Sequence, residues 1–217
     1  MNKQLTVEIH SYWHAGTGRT SGSHVDSLVE KNNSGLPLLN GKHIKGLLRD
    51  AVARAADWGW FDEQVQGLPV SAKALEAWLF GTRNASDNSD DSSRFDTTAG
   101  VVFVSNAELP EADRLILSQK ESSELKTGLF RHVFSTAIDE ETGTAKDRSL
   151  RGAEVVIPLT LYSEITFNGD EKAAPAVFEI LTQSLSLIDH VGGMRNRGFG
   201  RATLSLDEAA TQGGHAA

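Results

Sequence analysis

The sequence predicts an α+β protein with a ferredoxin-like (RRM-like) βαββαβ core, carrying a long loop after the first strand and a central hairpin insertion. Three observations predict it. Leu5, Val7 and Ile9 alternate with polar residues, the period of a half-buried strand. Ile44, Leu47, Leu48, Ala51, Val52 and Ala55 recur at helical spacing. The periodic segments then follow in the order strand, helices, strand, strand, helix, strand. At 217 residues with 39% hydrophobic content, the chain suits a single domain, 1–217, around one core.

The first strand covers 5–13, and the glycine- and serine-rich stretch 14–35 reads as a loop. A helix runs from Lys42 to Trp58 with Asn40 as its N-cap. A second runs from Ser71, its cap, to Phe80, and stops at Gly81. Residues 83–96, "RNASDNSDDSSRFD", are too polar to bury their own surface and read as a mobile acidic loop. "GVVFVSNAEL" (100–109) is a strand, and 129–151 a protruding hairpin around the turn-rich "DEETGTAKD". "AEVVIPLTLYSEITF" (153–167) reads as one long strand, with Pro158 marking a bulge or an edge position. An amphipathic helix over 173–189 ends at Gly192 and Gly193; "RATLSL" (201–206) is the last strand and 208–217 a frayed tail.

Composition narrows the chemistry. The absence of cysteine removes disulfides, thiolate catalysis and cysteine-held metals. Residues 1–13 lack the basic and apolar regions of a secretory signal, and no apolar run approaches the roughly 18 residues of a membrane span. A soluble, cytoplasmic protein with no membrane partner is expected. A net charge of −8 argues against loose nucleic-acid binding, but leaves room for a local basic groove.

"GGMRNRGFGR" (192–201) is such a local concentration, with four glycines and three arginines in ten positions. Glycines in this number allow a sharp turn or a close approach to a ligand. Arginine supplies a permanently charged, forked donor suited to phosphate. An anion-cradling loop is the reading favoured over a plain connection with solubilising arginines. No dinucleotide fingerprint or P-loop motif is present. In "LPLLNGKHIKGLLRD" (36–50), Lys42, Lys45 and Arg49 share one helical face beside a helix start, which makes either an anion site or a solvated basic face. Asp26 and His24 lie in the flexible loop after the first strand. By itself, a loop aspartate reads as a turn former.

The two motifs together resemble the RAMP superfamily of CRISPR-associated proteins. "LPLLNGKHIKGLLRD" is similar to its "PxIPGSSLKGxLR" segment, and "GGMRNRGFGRATLSL" to its C-terminal glycine-rich loop and final strand. "AWLFGT", "GVVFVSNAEL", a hairpin and a long strand follow between them in the family's order, so the likeness spans roughly 4–207. Within the superfamily, the repeated backbone subunit of type III effector complexes is most similar.

The resemblance implies partners and roles. Gly192, Gly193, Arg195, Arg197, Gly198, Gly200 and Arg201, with Lys42, Lys45 and Arg49, would grip the backbone of a guide (CRISPR) RNA. The hairpin would be the family's thumb, about 134–150, which kinks the duplex of guide and complementary target RNA. Asp26, in "HVDS", falls where the family has its target-cleaving aspartate. It would assist attack by the target's own 2′-hydroxyl through a divalent metal ion, Mg2+ or Mn2+, which Asp26 would ligate. The partners implied are other effector subunits and copies of the chain in a helical assembly. The sequence departs from the family at Asn40-Gly41-Lys42-His43, where two small hydroxyls are replaced, and at His24, an accessory candidate for proton transfer. Two alternatives stand beside this expectation: a non-catalytic scaffold of the superfamily, and a stand-alone guide-processing nuclease with His14 and His24 as bases.

Overall fold

The computed structural model describes residues 1–18, 27–83 and 97–208. Asp26 and His24 lie outside the described residues, as do the acidic stretch from 84 to 96 and the tail from 209 onward.

The central sheet has four antiparallel strands: β1 (Asn2–Ile9), β4 (Val102–Val104), β7 (Thr160–Phe167) and β8 (Ala202–Glu208), in the order β4-β7-β1-β8. Leu5, Val7 and Ile9 are buried on one face, as their alternation requires. Helices α1 (Gly41–Asp57), α2 (Ala72–Phe80) and α5 (Ala174–Leu185) supply the facing side of the core, with Ile44, Leu48, Val52, Leu79, Ile180 and Leu181 among its fully buried members. The other face is polar: Gln4 pairs with Glu164 and Asp207, and Thr6 with Tyr162 and Ser205. Among the described residues, no helix is long and apolar enough to cross a membrane.

Helix α1 forms as its spacing predicts, with only Leu47 of the apolar stripe half-buried. Asn40 caps it, its side-chain oxygen accepting the Lys42 N–H at 2.9 Å. A Cβ on Gly41 would lie 2.4 Å from the Val104 carbonyl, so glycine lets the helix start abut the end of β4. Ser71 occupies the N-cap position of α2 but makes no side-chain capping bond.

The remaining departures come from strands that change partner. The first strand ends at Ile9 instead of Trp13, which makes only an isolated bridge to Val156. The 100–109 segment forms a ladder with β7 over Val102–Val104; Ala107 then turns to Leu39, and Glu108 makes an isolated bridge back to Tyr162 of β7. The long strand 153–167 is two strands. β6 (Arg151–Val156) pairs with β5 (Phe130–Ser135) as a hairpin, and β7 pairs with β1 and β4. Pro158 sits at the break, where a residue without an N–H cannot continue a ladder. The hairpin's second arm is thus the first half of that segment, and its tip is 136–150. The last long helix ends at Leu185, earlier than expected. A short two-stranded ribbon, β2 (Gly81–Arg83) with β3 (Thr97–Ala99), brackets the acidic stretch. Two further helices, α3 (Glu111–Leu117) and α4 (Ser123–Gly128), fill 110–128, where no element was expected.

The base of the hairpin is tied to the segment after Asp26. Glu154, 5% exposed, accepts the Lys31 ammonium at 2.7 Å and the Val29 N–H at 3.2 Å. Lys31 also lies 3.9 Å from the centre of the Phe130 ring. Removing the cation strands a buried carboxylate, whereas neutralising both partners does not. Lys31→Met is therefore expected to lower stability by about 3 kcal/mol, and Lys31→Met with Glu154→Gln to recover more than half of that. Urea unfolding of the two variants measures both.

Candidate functional site

The glycine-arginine loop is closed at its base and open at its tip. The Val191 N–H donates to the Gly200 carbonyl and the Gly200 N–H to the Tyr12 carbonyl, each at 2.7 Å. Gly200 has φ +73°, and a Cβ there would lie 1.8 Å from the Val191 carbonyl oxygen. Gly192 has φ +77°, and its Cβ would lie 2.6 Å from the His14 carbonyl oxygen. Between these points the chain makes a short 3-10 turn, Arg195–Arg197, entered through Met194 at φ +59°. Arg195, Arg197 and Arg201 are exposed.

The loop's glycine amides do not point at a ligand. Gly192 donates to His43 Nε2 at 2.8 Å, Gly193 to the His14 carbonyl at 2.7 Å, Gly198 to the Arg195 carbonyl at 3.0 Å and Gly200 to Tyr12. Within the expected anion-cradling loop these four N–H groups therefore bond inside the protein, and the arginine side chains are what the loop exposes. Close backbone approach requires glycine at Gly192 and Gly200, whereas Gly198 has open space around it and a φ of +80°.

Three segments converge on a cavity of about 690 Å³ beside the loop. The loop contributes Arg195, Asn196 and Arg197, the hairpin base contributes Ser135 and Arg151, and Ser27 completes the wall. Among the described lining residues there is no carboxylate. Arg151, Arg195 and Arg197 form no ion pair among the described residues. Three guanidinium groups thus surround one space with no counter-charge among the described residues of its wall, an arrangement suited to a multiply charged anion.

Ser27 directly follows Asp26 in the chain. Its hydroxyl is 2.8 Å from His14 Nε2, and the opposite ring nitrogen, Nδ1, is 2.7 Å from the Glu154 carbonyl oxygen. A carbonyl only accepts, so Nδ1 carries a proton. His14 is 5% exposed with both nitrogens engaged. It is a structural brace between the hairpin base and Ser27, not an exposed base, which removes one of the two histidines of the guide-processing alternative.

The basic face of α1 turns elsewhere. At about 100° per residue, Lys45 and Arg49 lie roughly 160° and 120° around the helix from His43, the side chain that meets the loop. Lys42 is exposed on the first turn. Lys45 lies 5.8 Å from the centre of the Phe103 ring, and Arg49 is ion-paired with Glu76. The sequence motifs thus supply two separate cationic surfaces, and His43 joins α1 to the loop through the Gly192 hydrogen bond.

That bond has a pH dependence. The Gly192 N–H needs a lone pair on Nε2, so His43 is neutral with its proton on Nδ1. Burial, and then the nearby charge of Arg195, hold its pKa below the ordinary histidine value. With the folded value depressed, the unfolded chain takes the proton first as pH falls. The stabilising contribution is complete above the ordinary value of about 6.5 and is lost progressively below it. His43→Gln is expected to flatten the fall in stability below about pH 6.5, as read by thermal unfolding over a pH series.

The geometry agrees with a family match. The family model of the RAMP superfamily covers residues 6–203. The chain belongs to the RAMP superfamily. No curated protein matches this RAMP chain by sequence. In fold it is similar to a chain of the cryo-EM structure of the Type III-B Cmr-beta bound to cognate target RNA, with 10% identity and a TM-score of 0.66, covering 95% of this chain and 97% of that one. It is also similar to a chain of the apo-state Cmr-beta structure, with 11% identity, a TM-score of 0.59 and the same coverage.

Sequence reasoning on this RAMP chain did not single out Arg151, Ser27 or the contact made by His43, and it named His14 only as a candidate base. Arg151 opens a strand and forms no recognised motif with Lys146 and Arg148 before it. His43 carried one signal, its departure from the family's small hydroxyl. His14 and Ser27 acquire their roles only when the hairpin base packs against them.

Proposed function

We propose that this chain is a guide-RNA-binding backbone subunit of a type III CRISPR effector complex, and that it cleaves guide-paired target RNA through Asp26. The observation that carries the reading is the convergence of Arg151, Arg195 and Arg197 on one cavity whose wall includes Ser27, the residue after Asp26. An RNA backbone is the polyanion such a site fits, since phosphate contacts set affinity and position without reading sequence. Family membership and the fold shared with Type III-B Cmr-beta chains support the same reading.

In this proposal the strand order β4-β7-β1-β8 is a ferredoxin-like βαββαβ core, and the β5–β6 hairpin is the thumb. Glu8, Glu164 and Asp207 on the open sheet face repel RNA, so the nucleic acid engages the loops and hairpin instead of the sheet platform an RRM uses. The acidic surface elsewhere is compatible with other effector subunits and copies of the chain along the guide, in a cytoplasmic assembly.

The cleavage step is a transesterification within the target. The 2′-hydroxyl loses its proton with help from Asp26, and its oxygen bonds to the adjacent phosphorus. The phosphorus–O5′ bond breaks and O5′ takes a proton from solvent, leaving a cyclic phosphate and a 5′-hydroxyl. The arginines stabilise the added negative charge on the phosphoryl oxygens. A divalent ion belongs to the proposal through Asp26. The described wall supplies no carboxylate to it, and among the described residues no group of three or more histidine and acidic side chains could hold a metal.

The test is target cleavage by the complex purified with its guide RNA. Asp26→Ala is expected to abolish cleavage while guide and target remain bound. Cleavage unchanged in that variant makes the chain a scaffold, and a chain that assembles with no RNA overturns the reading altogether.

A further inference from the structure

Lys45 and Arg49 open onto a second cavity, of about 280 Å³, which shares no residue with the first. One wall is Phe103 of the edge strand β4, and the other is threonine-rich, from the β2–β3 ribbon. Phe103 is 48% exposed, although its neighbours Val102 and Val104 serve the core. The floor is rigid because backbones touch there: a Cβ on Gly100 would lie 2.4 Å from the Leu79 carbonyl and 2.5 Å from the Gly81 nitrogen.

Glu76 is bound to Arg49, and Lys45 forms no ion pair among the described residues. Burial, and then repulsion from Arg49, push the Lys45 pKa down. An exposed ring beside two cations and a row of hydroxyls is the combination that binds single-stranded nucleic acid: the π-face stacks a base, and the cations take its phosphate.

We propose that this cavity is a second RNA site, holding one unpaired nucleotide with its base stacked on Phe103 and its phosphate against Lys45 and Arg49. It rests on the reading of the chain as RNA-binding but not on the glycine-arginine cavity. The base-accepting ring distinguishes it from a backbone grip.

The test uses oligouridine binding by the full chain, read by fluorescence anisotropy. Phe103→Leu keeps an apolar side chain at an exposed position and is expected to weaken binding about tenfold, whereas Phe103→Trp retains it. Lys45→Gln is expected to reduce the salt slope by about 0.7. With an abasic oligonucleotide the Phe103→Leu difference should vanish. In the assembled complex, 4-thiouridine placed in the guide or in the target identifies the strand that crosslinks to the peptide containing Phe103. Wild-type affinity in Phe103→Leu overturns the site. So does intact RNA binding with loss of assembly, which makes the ring a protein contact. Arg195→Ala with Arg197→Ala separates the readings: if that variant loses RNA and Phe103→Leu does not, the proposed function stands and this site falls. The reverse pattern keeps this site and removes the glycine-arginine cavity.

Discussion

Replacing Arg151, Arg195 and Arg197 together by alanine should weaken guide-RNA binding on the order of a thousandfold, taking about 1.5 kcal/mol for each charge-assisted hydrogen bond. It should also reduce the dependence of log K on log salt by about two, since each single-strand phosphate contact contributes about 0.7. The two numbers test different things. A loss of affinity with an unchanged salt slope means that the loop has collapsed, not that phosphate contacts have gone. Lys172→Ala, which removes a cation at the start of the α5 region and outside the cavity lining, is the control and should move neither number. Titration with a labelled single-stranded RNA at several salt concentrations gives both. An unchanged affinity in the triple variant would remove the cavity from the RNA path.

Gly200→Ala should cost about 4 kcal/mol or more of stability and abolish RNA binding with it. The added Cβ meets the Val191 carbonyl oxygen at 1.8 Å, and that backbone is held in turn by the Val191–Gly200 hydrogen bond that closes the loop. Neither strand of the closure can retreat without breaking it. Gly198 is the comparison within the same ten residues. Its φ is +80°, but no atom lies within 4 Å of a Cβ there. Gly198→Ala therefore carries only the left-handed backbone penalty, about 1–2 kcal/mol, and should retain RNA binding. Chemical denaturation of the two variants, followed by RNA titration of whichever folds, measures the contrast. Equal costs would mean that the loop is not held at its base.

Much of the framework was legible because it is written in local periodicity. The stripe Ile44–Ala55 has to face a core whatever packs against it, and Asn40 satisfies the free N–H groups of the helix start by itself. What periodicity leaves open is the partner. Residues 153–167 read as one strand because both halves have the composition of a strand; only the competition between β5 and β1 for their N–H groups, resolved at Pro158, divides them. The short helices α3 and α4 bury no residue of their own apart from contacts at their flanks, so they left no stripe to read.

The site divides along the same line. The sequence by itself determined that a cluster of arginines sits on a glycine-bent loop, and that Lys42, Lys45 and Arg49 share a helix face, because both facts depend only on residues close in the chain. Only the tertiary structure decided where these charges go. Helical phase says which residues share a face but not what that face meets, and α1 meets the loop with His43 while turning Lys45 and Arg49 toward Phe103 and Glu76. Likewise, a glycine's freedom is visible in the sequence, but whether its N–H points at a ligand or at Tyr12, His14 or His43 depends on backbones more than 100 residues away, whose approach follows from the packing of the whole core.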